Sequence, residues 1–375
     1  MVTRSGIRAG RAFVEVTSDD SGLKRGLIGA EARLNSFGKT VRRIGASFAA
    51  FEGARRVLSV AEGFNQAFAE STAIMGDLSE NQLKGLSDTA KRVAIDTKFS
   101  TAEAAKGYFF LASAGLDAQK SMQALPEVAK FAQAGMFDLA LATDLLTDAQ
   151  SALGLKADSA SENLRNMTRV SDVLVKANTV ANASVQQFSE ALTNKAGAAL
   201  KGLGKDVEEG VAVLSAFADQ GIKGTEAGTQ FAIVLRDLQT KAISNKEAFR
   251  EAGIAVFDSA GEMRNIADVL ADVENRLAGM SDETKKATLL QLGFSDKSVS
   301  ALQALLGTSE AIRDYEKQLR SANGITDEIA SKTLSEFNKQ WQRFKGIMQT
   351  VSSAIGGPIL SGFSKLLEVI VDLAE

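Results

Sequence analysis

Only two prolines occur in 375 residues, and that scarcity narrows the fold more than any other feature of this chain. A sequence so poor in Pro and so rich in Ala, Leu, Lys and Glu reads as predominantly α-helical. Helix starts are written into it repeatedly. Ser79-Glu80-Asn81-Gln82, Ser100-Thr101-Ala102-Glu103, Ser159-Ala160-Ser161-Glu162 and Ser184-Val185-Gln186-Gln187 all fit the capping box. In that device a hydroxyl and an acidic or amide side chain satisfy the free N–H groups of a helix start. Asp138 fits an N-cap for a further helix. Leu83, Leu86, Ala90 and Val93 share one face at helical spacing, as do Ala104, Tyr108 and Leu111, then Ala142, Leu145, Leu146 and Ala149. Each helix is amphipathic, so each needs neighbours to cover it.

Stops are equally legible. Ala114-Gly115-Leu116, Ala134-Gly135-Met136, Gln220-Gly221-Ile222 and Ala252-Gly253-Ile254 share one phrase. In each, the Gly is expected to turn left-handed at the helix end, and the apolar residue after it to pack back on the last turn. The spacing is irregular, so no solenoid is implied. Pro126 interrupts the helical pattern and is expected at the first turn of a new helix. A small β-hairpin is expected at about 254–264, with Ile254-Ala255-Val256-Phe257 and Glu262-Met263-Arg264 alternating on either side of a Gly-containing turn.

The two ends differ from the middle. Arg4, Arg8 and Arg11 precede any acid, and residues 12–16 alternate like a short strand. From Leu23 to about Ala61 the chain reads as a helix with a positive bias, either a solvated face or a contact with an acidic partner. From Thr326 a long helix is expected to about Ile355. Leu334, Phe337, Trp341, Phe344, Met348, Val351 and Ile355 recur along it by threes and fours, the seam of a left-handed coiled coil or of a long helical hairpin. That seam can close an oligomer or pack on its own domain. Gly356-Gly357-Pro358 breaks the helix, and Phe363, Leu366, Leu367, Ile370 and Leu373 begin another. The expected fold is therefore mainly α. A basic arm and helix over 1–62 leads into a multi-helix globular domain over 63–310 that carries the hairpin. A long helix with a coiled-coil-like seam follows over 311–375.

Composition removes most chemistry. There is no Cys and no His, which excludes thiol nucleophiles, the usual zinc sites and any arrangement that needs an imidazole. A formal net charge of -3 argues neither for nor against nucleic acid. No uninterrupted apolar run of about 18 residues is present, so no membrane span is expected in this stretch. The start of the chain lacks the apolar core of a secretory signal. Phe37-Gly38-Lys39-Thr40 has the end of a phosphate-binding loop, but Arg33 stands where the earlier Gly belongs. Gly202-Leu203-Gly204 lacks the third glycine of a dinucleotide fold. Asp258, Glu262 and Asp268 lack calcium-loop spacing. Lys223-Gly224-Thr225-Glu226-Ala227-Gly228-Thr229 is the most site-like string. Its expected role is structural: Gly224 and Thr225 end one helix and cap the next, and Gly228 permits close helix approach. No residue is assigned a catalytic, cofactor-binding or metal-binding role.

Three blocks carry a resemblance. Residues 97–135 hold an aromatic-Ser-x-x-Glu-Ala-Ala helix (Phe99 to Ala105), an Ala-Gly-Leu turn (Ala114 to Leu116) and a Leu-Pro helix (Leu125-Pro126). Residues 216–238 and 253–277 add two more, in the same order. Together they resemble phage tail tape measure proteins. The resemblance implies a structural, non-catalytic protein that sits in the tail lumen, sets tail length during assembly, and works with the tail tube protein and tail assembly chaperones. It places the chain in the host cytoplasm during assembly and then in the virion tail. A homo-oligomer, trimer or hexamer, through Leu334 to Ile355 is the corresponding expectation for the seam. The roughly 50 residues after Thr326 span only about 75 Å as helix, so the chain is expected to be part of a longer ruler or to come from a short prophage element. The alternative function is a helical interaction or membrane-active module of a contractile injection system, with membrane contact only through segments outside this stretch. A tail-associated cell-wall hydrolase is a further rival.

Overall fold

The structure, a computed structural model, describes residues 62–335 and 338. The N-terminal basic arm, the strand expected at 12–16, the helix expected at 23–61 and all seam residues except Leu334 lie outside that range. So does the phosphate-loop-like string at 37–40. Within it, helix follows helix: α1 (62–73), α2 (Glu80–Asp96), α3 (Thr101–Ser113), α4 (Ala118–Gly135), α5 (Leu139–Ala152) and α6 (Ala160–Val180). Next come α7 (Val185–Ala191), a wide π turn (Leu192–Ala196), α8 (Gly197–Gly202), α9 (Val207–Asp219), α10 (Gly224–Ser244) and α11 (Lys246–Glu251). Then follow α12 (Ile266–Leu277), α13 (Asp282–Gln291), α14 (Asp296–Leu305), α15 (Ser309–Arg320) and α16 (325–335).

The caps explain why the helices begin where they do. Reciprocal capping boxes form at Ser79/Gln82, Ser100/Glu103 and Ser184/Gln187. At Ser159 only the serine half forms: its hydroxyl accepts from the Glu162 N–H, while the Glu162 side chain stays exposed. Asp138 caps α5 as expected, accepting from the Leu141 N–H at 2.8 Å. Asp117 does the same for α4, and this shifts the helix start. Pro126 therefore lies well inside α4, not in its first turn. A helix-interior proline costs about 3 kcal/mol. Here the cost is offset by burial of Ala124, Leu125, Val128, Ala129, Phe131 and Ala132 around it.

Gly115, Gly221 and Gly253 take positive φ at helix ends, as their phrases imply. The end of α4 departs from that pattern. Met136, not Gly135, is left-handed, at φ 60. The Phe137 ring folds back over Gly135, so closely that a Cβ there would sit 2.1 Å from it. The glycine is needed for space, and the methionine bears the backbone strain.

α2 and α4 run side by side in the same direction, with Gly85 against Met122 near one end and the Lys98 N–H on Gln133 Oε1 (2.8 Å) at the other. α3 returns between them. Its Tyr108 is fully buried and donates to the Leu86 carbonyl at 2.9 Å. Burial pushes the Tyr108 hydroxyl well above the ordinary tyrosine range. Gly107 lets α3 close on Leu125 and Leu139, which a Cβ would meet at 2.7 and 2.9 Å.

Beyond α6 the packing centres on α9. Every residue from Val207 to Ala218 is buried. A helix buried on every face belongs in an interior, and α6, α8, α10, α12, α14 and α15 pack around this one. The expected hairpin reduces to a single antiparallel bridge, Phe257 to Met263, and no sheet forms among the described residues. The reason is local. Two backbone bonds, Asp258 N to Glu262 O and Arg264 N to Val256 O, close the turn. Asn265 then caps α12 and takes the chain away from further pairing.

At Gly228 the start of α10 comes close to the backbone of the π turn. An added Cβ would lie 2.2 Å from the Ala191 carbonyl oxygen and 2.6 Å from that of Asn194, both backbone atoms that cannot swing aside. At Gly85 the nearest atom is the flexible Met122 thioether. Gly228→Ala should therefore destabilise the protein by about 3 kcal/mol, and Gly85→Ala by under about 1 kcal/mol, since Met122 can repack. Urea unfolding of the two variants side by side checks the contrast; equal midpoints would contradict it.

Candidate functional site

Among the described residues, the acidic and glycine-containing strings that stand out in the sequence resolve into turns, caps and ion pairs. Among the described residues no three Asp or Glu side chains come together in a way that could hold a metal ion. Asp258 Oδ1 accepts the Ala260 and Glu262 N–H groups of its own turn, and Asp268 pairs with Arg313 at 2.8 Å. Gly202 and Gly204 belong to the end of α8, where Gly204 takes φ 64.

The string Lys223–Thr229 opens α10, with Gly224 at φ 58. Thr225 does not cap it; no side chain does. Instead the Thr225 carbonyl and the Thr229 hydroxyl accept from Asn194 Nδ2 at 2.9 and 3.0 Å. Asn194 and Lys195 leave the helical region inside the π turn, Lys195 at φ 81 and ψ -35. Kinks of this kind have an identifiable cause. Here the start of α10 clamps the turn, and Gly228 makes room for it.

Two clefts open among the described residues. One, of about 630 Å³, lies under the 257–263 bridge, with apolar walls from Ala242, Ile243, Phe249, Ile254, Val256 and Phe257. The other, of about 380 Å³, is lined by Asn265, Asp268, Arg313, Glu316, Lys317 and Arg320. Its charges are largely consumed: Arg313 on Asp268, Arg320 on Glu316 and Asp206. It is an ion-pair lattice that ties α15 to α12 and to the start of α9.

The most built feature is the seat of α16. Asp172 lies on the buried side of α6 and caps a helix it does not belong to. Its Oδ2 accepts the Gly324 N–H at 2.8 Å and its Oδ1 the Thr326 N–H at 3.0 Å. A carboxylate at a helix N-terminus meets both the free N–H groups and the positive end of the dipole. The Ser171 and Thr326 hydroxyls share a hydrogen bond of 2.9 Å. Gln133 spans two elements, donating to the Ala330 carbonyl at 2.6 Å while it accepts from Lys98 N–H. Outside, Lys130 pairs with Asp327 at 2.8 Å. Beside these, Glu127 is 7% exposed, and its Oε1 has no partner. Burial holds its carboxyl above the usual carboxylate range, against a nearby Ser171 hydroxyl and Lys130 that favour the charged form.

Of these polar residues only Thr326 stood out in the sequence, as a helix start, although Ser171 falls on the inward face of its helix; Asp172, Gln133, Lys130 and Glu127 did not. The available signal was Ser171-Asp172 inside the apolar run from Val170 to Val175. The helix expected from Thr326 does begin there, at residue 325, and Leu334 on it is half-buried. Phe337, Trp341, Phe344, Met348, Val351 and Ile355 lie outside the described residues.

Residues 87–295, more than half of the chain and running from α2 to the cap of α14, match the family model described as phage-related minor tail protein. The chain is similar to the tape measure protein of Pneumococcus phage Dp-1, 26% identical over 325 residues, which is 84% of this chain and 27% of that protein. It is also similar to the probable tape measure protein of Escherichia phage P2, 25% identical over 299 residues, covering 77% of this chain and 35% of the relative. The chain thus spans about a quarter to a third of the length of these relatives. No solved structure matches it. The helical core built around α9 carries that match, and the chain belongs to the phage-related minor tail protein family.

Proposed function

We propose that this chain provides the helical core of a tail tape measure protein. In this reading it is a structural, non-enzymatic protein that occupies the lumen of the tail tube and sets tail length. Tube subunits polymerise around it with the help of assembly chaperones, in the host cytoplasm, and the finished tail retains it. One observation carries the reading: the family match falls within the segment that folds into this core, and both tape measure relatives cover 77% or more of the chain. α16 supports it, because it carries Leu334, the first residue of the seam, and the rest of the seam follows it in sequence. The seam, Leu334, Phe337, Trp341, Phe344, Met348, Val351 and Ile355, joins copies into a trimer or hexamer that suits a symmetric tube.

Light scattering of the full chain and of a Trp341→Asp, Phe344→Asp variant tests the seam. A threefold or sixfold mass for the parent, falling to a monomer in the variant with helical circular dichroism unchanged, is the expected outcome. Equal masses would mean that the seam packs within one chain. The ruler role is tested in the phage that carries the gene. Twenty-eight residues of matching heptads inserted after Ile355 should lengthen tails by about 42 Å, at about 1.5 Å per helical residue. Tails of unchanged length would remove that role. Peptidoglycan incubated with the purified chain should release no fragments; release would favour the hydrolase reading.

A further inference from the structure

We infer that the polar seat on α4 and α6 is a release joint, from which α16 lifts off as a unit while the rest of the fold stays intact. The joint is read from its contacts alone and stands apart from the tail function.

Its apolar hold is slight. Of residues 325–335 only Thr326 and Ala330 are buried, with Ile325, Ile329, Thr333 and Leu334 half-covered. α6, by contrast, buries Met167, Val170, Val173, Leu174, Val175 and Ala177. Hydrophobic attraction scales with area removed from water, so it fixes α6 far more firmly than α16. What orients α16 is a set of directional bonds at its first two turns, from Asp172, Ser171 and Gln133. When such bonds open, each donor and acceptor regains water, so the net cost of parting is small. Gly324, at φ 78, sits directly before the helix and can absorb the change in backbone angle.

Two carboxylates act on the joint in opposite directions. Asp172 favours the docked helix, because its charge is satisfied only by N–H groups that the helix start brings. Glu127 opposes docking. It is shut in with an oxygen that has no partner, and the charged groups facing it are Asp172 on α6, Lys130 on its own helix and Asp327 on α16. Lifting α16 lets water reach it. The docked form therefore binds the Glu127 proton more tightly than the open form. The sign follows: docking is favoured at low pH and weakens as pH rises through the window above the ordinary glutamate value, up to the raised one.

Hydrogen exchange of the full chain, corrected for intrinsic rates at each pH, provides the test. The amides of residues 329–335 should exchange through an opening that leaves α9 protected. Glu127→Gln should slow that exchange several-fold at neutral pH, up to about tenfold, and remove its pH dependence. Asp172→Asn should speed it by about tenfold, because a charge-assisted bond is exchanged for a neutral one. Protection of α9 should be the same in all three proteins. Protection of 329–335 equal to that of α9 would overturn the proposal. So would exchange that Glu127→Gln leaves unchanged, whatever the Asp172→Asn variant does.

Discussion

The first turn of α9 is the constraint on which the second half of the fold depends. Glu208 and Glu209 open a helix that is buried throughout, so two carboxylates enter the interior together. An unpaired charge there would be prohibitively costly. Each is matched by a partner from a different element. Arg169 of α6 grips Glu208 with two hydrogen bonds. Lys205, itself nearly buried, reaches Glu209 at 3.2 Å and donates to the Arg264 carbonyl at 2.9 Å. Glu209 also accepts the Ile266 N–H, at the start of α12, at 2.7 Å. Asp206, the cap, receives Arg320 from the end of α15 at 2.9 Å. One helix start thus fixes the position of α6, α12 and α15. Burial still holds the Glu209 carboxyl above the ordinary range, with the Ile266 N–H and Lys205 pulling the other way.

What could be read from the sequence was whatever is decided within one turn of helix. Ser100 and Glu103 are three residues apart, so their reciprocal bonds are written side by side, and the same is true of Asp138 and the Leu141 N–H. Errors arose where a distant or bulky neighbour decides. Pro126 reads as a break, yet the core around α4 holds the helix through it. Gly135 reads as a left-handed cap, yet the Phe137 ring claims the space beside it and Met136 turns instead. The alternation at 254–264 reads as two strands, yet only one bridge survives before α12 starts. The seat of α16 was the least legible part. Asp172 and Gly324 are 152 residues apart, and nothing in the helix of either shows that they meet.

Glycine contributes in two distinct ways, and the chain uses both around α10. Gly224 is needed for its backbone angle at the helix start. Gly228 has ordinary helical geometry and is needed for what it lacks, since the backbone of the π turn occupies the space a Cβ would fill. That contact lets Asn194 reach the Thr225 carbonyl and hold an otherwise unfavourable turn. The site-like appearance of Lys223–Thr229 therefore has a packing origin. Small residues in a row mark the place where one backbone touches another.

The absence of His and Cys has a consequence for how such a structure can respond to its surroundings. Histidine is the side chain whose unperturbed pKa lies between about pH 5 and 8, and this chain has none. Any side-chain charge change in that interval must come from a group displaced by its environment. Glu127 and Glu209 are both buried carboxyls held above their ordinary range. They differ in what surrounds them. Glu209 is bonded to Lys205 and to a backbone N–H at the start of a helix buried from Val207 to Ala218, where neutralising it would strand a nearly buried lysine. Glu127 has an oxygen without a partner, next to a helix whose own apolar contacts are few. The same chemistry is therefore held by direct partners at α9 and carries an oxygen without a partner beside α16. The difference lies in the partners each carboxylate meets and not in the carboxylate itself.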